Sequence, residues 1–320
     1  MPIIIPGKTV AQNTVSLFID ESICHEDSGI IHATFAFPTD AVPMIEESLS
    51  EYLVREGLQT DEYKGSKINS VNKDAYRKFI FAIIEVAHKC ATLTPLRPML
   101  TIEGKNCHFS NEAVNTAFRS IMSIPNMSWS EHERSLIRAF CQQIWWIFRF
   151  ITKTCERPIT NSFDLVFDEK HNFEEMIDEN KLVLLPFGVH LHERTRGKCL
   201  VSFANSIIGK YSEILPRPDT WIPRISLFTY RNSASSRILQ GCDLFSHIYF
   251  NAIKHAKGDR SERVVIKNNL FNNFFGTPIS DDLLSSFEVA QRTPTQKELR
   301  CTNLDLTEVA RIGEFKLLDD

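Results

Sequence analysis

Apolar positions along this chain follow two different periods, and the change between them predicts where strands and helices lie. Residues 15–22 show the alternation of a buried strand, and the β-branched and aromatic run 30–37 predicts a second strand after a short polar turn. Two strands joined in this way form a hairpin. Further apolar runs predict strands at 96–102, 163–168, 183–192, 200–204 and 225–230.

Steps of three and four between apolar residues predict the helices. Asp40 and Pro43 precede such a stripe and Gly57 follows it, so a first helix can cover one side of the hairpin. Ser130 and Glu133 form a capping-box pattern ahead of an aromatic-rich helix, which we interpret as core. Other predicted helices span 72–89, 111–124, 173–180 and 238–257.

Composition narrows the class of protein. The 320 residues are 43% hydrophobic and 24% charged with a net charge of −4, as in a globular protein without an overall basic field. The 8 cysteines include no Cys-x-x-Cys pair, which argues against a zinc ribbon or a disulfide-stapled secreted fold. The longest apolar run, 144–151, contains Arg149, and no signal peptide is evident. We therefore expect a cytoplasmic protein that does not enter a membrane.

Four acidic residues are placed where they could share one site. Asp20 and Asp168 each end an apolar strand, Asp243 lies at the rim of a helical stripe, and Glu62 lies in the loop after the first helix. Carboxylates that lie close together repel one another and stay ionised only around cations. Two Mg²⁺ or Mn²⁺ ions roughly 4 Å apart suit such a cluster and promote in-line phosphoryl displacement.

Neighbouring residues offer alternatives. Adjacent acids could replace the four as ligands: Asp27, Asp61, Asp164 and Glu169.

Histidine and cysteine side chains are further candidates for functional groups. His190 and His192 have the spacing that places two side chains on the same side of a strand, as in some metal sites, but no companion acid accompanies them. His247, one helical turn after Asp243, is either a proton-transfer group or a surface histidine. Cys242 lies on the apolar stripe with no histidine to activate it, so we interpret it as a packing residue.

A local excess of basic residues lies between Glu193 and Arg237. Eight lysines and arginines stand there against three acids: Arg194, Arg196, Lys198, Lys210, Arg217, Arg224, Arg231 and Arg237. This stretch either contacts phosphates or is an ordinary solvated surface.

Four short motifs, in this order, carry a resemblance to a known family. They are Phe-Ile-Asp-Glu-Ser at 18–22, Glu-x-Lys-Gly-Ser-Lys at 62–67, Asp-Glu at 168–169 and Ser-x-x-Ile-Leu-Gln-Gly-Cys-Asp-Leu at 235–244. Over residues 14–257 the chain resembles the prokaryotic domain-of-unknown-function family 3800 of the ribonuclease H-like superfamily. The resemblance implies that the metal is bound by Asp20, Glu62, Asp168 and Asp243. It also implies that Lys64 lies near the substrate phosphate.

The expected fold is α/β, with a ribonuclease H-like mixed sheet flanked by helices. Residues 1–258 would form this domain, and the segment 97–157 would be a helical insertion that is long for the superfamily. Residues 259–320 would form a helical C-terminal extension. The insertion and the extension are the expected surfaces for a protein partner or for self-association.

The expected activity is that of a divalent-metal-dependent nuclease, which hydrolyses phosphodiester bonds of RNA or DNA on the four acids with Mg²⁺ or Mn²⁺. One alternative is a non-catalytic nucleic-acid-binding or protein-interaction module of the same fold, and another is a phosphohydrolase of small nucleotides. The presence of all four acids favours an enzyme, and the basic stretch favours a polymeric substrate. The resemblance makes a setting in antiviral or other genome defence an additional expectation.

Overall fold

The computed structural model describes residues 14–24, 29–58, 62–90, 99–104, 112–124, 128–154, 162–169, 196–214, 222–275 and 302–305. The strands within these ranges are β1 (Val15–Cys24), β2 (Gly29–Pro38), β3 (Met99–Gly104), β4 (Ser162–Asp168), β5 (Arg224–Arg231) and β6 (Thr302–Asp305). The α-helices are α1 (Val42–Arg55), α2 (Lys73–Cys90), α3 (Glu112–Met122), α4 (Glu131–Thr154), α5 (Arg196–Ile214), α6 (Arg237–Ala256) and α7 (Glu262–Phe275). The chain is therefore an α/β protein.

The strands form one mixed sheet in the order β5-β4-β1-β2-β3-β6. β1 and β2 pair antiparallel, which confirms the predicted hairpin. β3 is antiparallel to β2, and β6 is antiparallel to β3. β4 runs parallel to β1, and β5 runs parallel to β4. The carboxyl ends of β1, β4 and β5 therefore lie at the same edge of the sheet.

One side of the sheet, the first face, carries Phe18, Phe35 and Val166 and is covered by α1, α2, α6 and α7. Helix α6 lies against β1 and β2, because its apolar stripe turns Phe245 onto Phe35 with 5.7 Å between the ring centroids. Alternate strand residues point to opposite sides, so the neighbours of Phe18 belong to the other core.

The opposite side, the second face, carries Leu17, Leu165 and Phe167 and is covered by α3, α4 and α5. Its core is aromatic: the ring of Trp145 lies 4.9 Å from that of Tyr211, centroid to centroid. The phenol of Tyr211 donates a 2.6 Å hydrogen bond to the carbonyl of Cys141. The interpretation of the aromatic-rich helix as core is thus confirmed.

The segment 97–157 contributes β3 to the sheet and α3 and α4 to the second face, so in this fold it is part of the main body. The predicted capping box begins α4. The Glu133 amide donates to Ser130 Oγ at 3.2 Å, and the Ser130 amide donates to Glu133 Oε2 at 2.8 Å. These bonds satisfy amides that the first helical turn leaves without partners.

Three expectations need correction. Asp20 does not end its strand, because β1 continues to Cys24 in its pairing with β2. Residues 200–204, predicted as a strand, lie inside helix α5. A short apolar run fits either structure, and Ala204, Ile208 and Tyr211 continue the helical spacing here. The C-terminal extension is helical at α7, but 302–305 is strand β6 at the edge of the sheet.

Several other expectations lie outside the described residues, including the helix at 173–180 and the strand at 183–192. Within the described residues, no helix combines the length and apolarity that crossing a membrane requires.

Candidate active site

Two of the predicted acids lie side by side on neighbouring parallel strands. Ile19 of β1 pairs with Phe167 of β4, and the next residue on each strand is Asp20 and Asp168. Both carboxylates share the first face with Phe18 and Val166, where Asp20 is 2% exposed and Asp168 is 7% exposed. Burying two carboxylates together is costly unless they are compensated by hydrogen bonds or by positive charge.

Helix α6 brings Asp243 to the same face. Asp243 is buried, and the preceding residue, Cys242, donates from its thiol to the carbonyl of Phe18 at 3.4 Å. Burial raises the pKa of Cys242 well above its ordinary value, and the negative charges of Asp20 and Asp243 add to the increase. The thiol is therefore a packing group, and both carboxylates lie close enough to act on it.

The loop that carries Glu62 and Lys64 is attached to α6 by two backbone donors. The Gly65 amide donates to Asp243 Oδ2 at 2.6 Å, and the Tyr63 amide donates to Gln240 Oε1 at 3.3 Å. A Cβ on Gly65 would lie 2.3 Å from the Cβ of His247, so this approach requires glycine. The glycine, glutamine and aspartate of two sequence motifs thus join the loop to the helix.

The carboxylate of Glu62 is held by protein groups. It accepts a hydrogen bond from Ser233 Oγ at 3.1 Å, and it pairs with Lys64 Nζ at 3.1 Å and Lys67 Nζ at 3.7 Å. Burial raises the pKa of Glu62, but these hydrogen bonds and the two positive charges outweigh burial and hold the pKa below its ordinary value. Glu62 is therefore an anion that shares its charge with two lysines.

Tyr76 lies near both Glu62 and Asp243, and His247 lies near Asp243. Burial raises the pKa of the Tyr76 phenol, and the charges of Asp243 and Glu62 raise it further, so both carboxylates act on one phenol. His247 Nε2 lies 3.6 Å from Asp243 Oδ1, as one helical turn predicts, and its side chain is 28% exposed. The imidazole thus borders the acids and also reaches solvent.

A residue that sequence reasoning missed fixes the start of α6. The carboxylate of Glu46, on α1, accepts from Ser236 Oγ at 2.6 Å and from the Arg237 amide at 2.7 Å. Burial raises the pKa of Glu46 despite these hydrogen bonds. The partners are 190 residues apart along the chain, so no local pattern indicates the contact.

The alternative acids differ in where they lie. Asp164 accepts from Ser226 Oγ at 2.7 Å and from Thr39 Oγ1 at 3.3 Å, near the opposite end of β4 from Asp168. Glu169 is exposed. Four of the alternatives fall outside the described residues: Asp27, Asp61, His190 and His192.

The described part of the basic stretch is mostly solvated. Arg224 and Arg231 are exposed, and Lys210 pairs with Glu213 at 3.3 Å. Arg237 donates to Gln240 Oε1 at 3.0 Å and so belongs to the α6 network. Arg194 and Arg217 lie outside the described residues, as do the side chains of Arg196 and Lys198.

A second residue missed from the sequence is Lys267 on α7. Its side chain is 5% exposed, and the charge of Asp243 acts on it. Sequence reasoning treated 259–320 as an appended surface and assigned no residue there to the site. The sequence contains a signal that could have identified Lys267, because this lysine lies in the apolar stripe of a helix.

The carboxylates supply the oxygen ligands that Mg²⁺ and Mn²⁺ prefer. In the part of the chain that the structure describes, however, no group of three or more His, Cys, Asp or Glu side chains is arranged to hold a metal ion. Asp243 and Glu62 instead make the hydrogen bonds described above. Comparisons with protein-family models, curated proteins and solved structures found no match to this chain.

Proposed function

We propose that this chain is a divalent-metal-dependent nuclease with a ribonuclease H-like fold, which hydrolyses phosphodiester bonds of RNA or DNA. The observation that carries the proposal is the placement of Asp20 and Asp168 on neighbouring parallel strands, both buried on the first face, which is covered by the helix that carries Asp243. Buried carboxylates so placed favour a cation, since a cation removes their mutual repulsion. Hydrolysis of a phosphodiester is the chemistry that a pair of such cations supports.

The architecture supports the same proposal. The first strand of the mixed sheet has an antiparallel neighbour on one side and a parallel neighbour on the other. This arrangement fits the ribonuclease H-like fold that the sequence resemblance implies. Ligand sites of α/β sheets lie beyond the carboxyl ends of the strands, and Asp168 is the last residue of β4, with Asp20 beside it in the middle of β1.

The residues of the chain have separate tasks in this proposal. Asp20, Asp168 and Asp243 would hold Mg²⁺ or Mn²⁺, which when bound would activate water and stabilise the leaving oxygen. The Gly65 amide fixes the Asp243 carboxylate. The ammonium of Lys64 pairs with Glu62, but its side chain is 43% exposed, so a phosphate that approaches from solvent can also reach it.

One observation favours a second candidate, a non-catalytic nucleic-acid-binding module of the same fold. Glu62 is paired with two lysines, and three metal ligands do not stand together among the described residues. A module of this kind would use the lysines and arginines without needing a metal. The cytoplasmic location and a role in antiviral defence are part of the proposal on the resemblance alone.

The test is a cleavage assay with two matched variants. Labelled RNA, DNA and RNA–DNA hybrid are incubated with the protein in Mg²⁺, in Mn²⁺ or in chelator. Asp168→Asn should abolish metal-dependent cleavage, whereas Asp164→Asn, on the same face of the same strand but bonded to hydroxyl groups, should not. Absence of cleavage by the wild-type protein in every mixture would refute the nuclease proposal. Metal-independent binding without cleavage would favour the module.

A further inference from the structure

Helix α7 has a lysine in the stripe of residues that it buries. Val264 and Phe271 are buried three residues before and four residues after Lys267, and Phe271 belongs to the core of the first face. Lys267 is 5% exposed, as buried as these apolar neighbours. Lysine is rarely so buried, because an ammonium group loses its hydration there.

The surroundings of Lys267 connect it with the acidic site. Burial and the positive charges of Arg263 and Lys254 lower the pKa of Lys267 to about 8, while the charge of Asp243 opposes the decrease. Most of the molecules therefore carry the ammonium form at neutral pH. Within the described ranges, no hydrogen bond or ion pair joins this ammonium to another side chain. Among the groups that the structure describes, its N–H donors therefore have no protein acceptor, and water or a ligand can take them.

We propose that Lys267 is a substrate-binding residue, whose ammonium takes an oxygen of a substrate phosphate beside Asp243. The inference rests on the proposed nuclease function and names a contact for that substrate. Asp20, Asp168 and Asp243 by themselves repel a phosphodiester, which must nevertheless come close to them. A cation held by a helix on the same face offsets this repulsion, and lysine binds phosphate as a point charge.

The Lys64 loop provides a second cation near the same carboxylate, because the neighbouring Gly65 is bonded to Asp243. The two lysines differ in exposure: Lys64 is 43% exposed in its side chain, and Lys267 is 5% exposed. Lys64 can therefore meet the nucleic acid as it arrives. Lys267 would contact only a phosphate that has reached the buried acids.

The test measures binding without metal. Full-length wild-type protein, Lys267→Met and Lys267→Arg are titrated in chelator with a labelled single-stranded oligonucleotide at several salt concentrations. We expect Lys267→Met to bind about tenfold more weakly and to lose about one phosphate contact from the salt dependence, while Lys267→Arg retains binding. Lys210→Met is the matched control, since it removes the same charge from α5 on the second face.

A second measurement keeps the test valid if Lys267→Met does not fold. Wild-type protein is acetylated with and without inorganic phosphate, and the modification is mapped by mass spectrometry. Phosphate should protect Lys267 and leave Lys210 unprotected. Equal oligonucleotide binding by the wild type and a folded Lys267→Met variant would overturn the proposal, and so would equal acetylation of Lys267 with and without phosphate. A different result would contradict the nuclease proposal alone: oligonucleotide binding that depends on Lys267, with no cleavage in the presence of either metal.

Discussion

The two faces of the sheet differ in the side chains that they bury. The second face packs aromatic side chains such as Trp145 and Tyr211, and its phenol finds a carbonyl partner. The first face has an apolar core of similar kind, but charged and polar side chains are buried in it: Asp20, Asp164, Asp168, Gln240, Asp243 and Lys267. Buried charges lower stability unless they are compensated. The comparison indicates that the second face is packed for stability, whereas the first face carries buried charges that lower stability and that the proposed site would use.

The largest effect that the comparison predicts is on activity. Asp20→Asn should reduce metal-dependent cleavage by at least about a hundredfold, because the proposed metal site would lose one charge and one anionic ligand. The metal-free variant should be as stable as the wild type or more stable, since repulsion between Asp20 and Asp243 is relieved. Cleavage assays and urea unfolding in chelator measure the two effects. Cleavage at the wild-type rate would remove Asp20 from the site.

The next prediction concerns how much the buried ammonium of Lys267 lowers the free energy of unfolding. Lys267 has a native pKa of about 8, and an unfolded lysine has a pKa of about 10.4. Below pH 8 both states are protonated and the cost of burying the charge is present in full. As the pH rises from 8 to 10.4, the unfolded state binds more protons, so the wild type gains stability.

Lys267→Met removes this cost. The variant should be more stable than the wild type by about 2 to 3 kcal/mol at pH 7, and the difference should shrink above pH 8. Urea unfolding at pH 7 and pH 9.5 measures both. Lys210→Met, on the second face, should show neither effect, because Lys210 is partly exposed and pairs with Glu213. Lower stability of Lys267→Met at pH 7 would mean that the ammonium stabilises the first face.

These features also separate what the sequence could predict from what it could not. The hairpin, the capping box and the position of Asp168 at the end of β4 follow from local patterns, because alternation and helix-start signals act within a few residues. The end of β1 was predicted too early, at Asp20, because the polar residues that follow it continue the pairing with β2 as far as Cys24. The bond from Ser236 to Glu46 joins residues far apart in the chain, and the fit of Gly65 to His247 depends on tertiary packing. Lys267 was visible as a polar residue in an apolar stripe, but its position near Asp243 depends on how α7 packs on α6.

A smaller effect is expected when the contact between the Glu62 loop and α6 is broken at Gly65. Gly65→Ala would place a methyl group 2.3 Å from the Cβ of His247, which is fixed to the helix backbone. The loop must move, so the hydrogen bond to Asp243 is lost, and we expect about 1 to 3 kcal/mol of destabilisation together with weaker cleavage. Ser66→Ala, at the exposed next position, is the control. Wild-type stability and cleavage in Gly65→Ala would show that neither depends on the close contact between Gly65 and α6.

The smallest expected effect compares a helical glycine on each face. In α5, an added Cβ at Gly209 meets no atom within 4 Å, whereas in α6 an added Cβ at Gly241 lies 3.0 Å from Ile83 Cγ1. Alanine favours a helix over glycine by about 0.5 to 1 kcal/mol, so Gly209→Ala should gain that stability. Gly241→Ala should not gain it, because Ile83 is fully buried and must be displaced. Urea unfolding of both variants measures the difference, and equal stabilisation would mean that the packing of α6 on α2 is looser than the described contact.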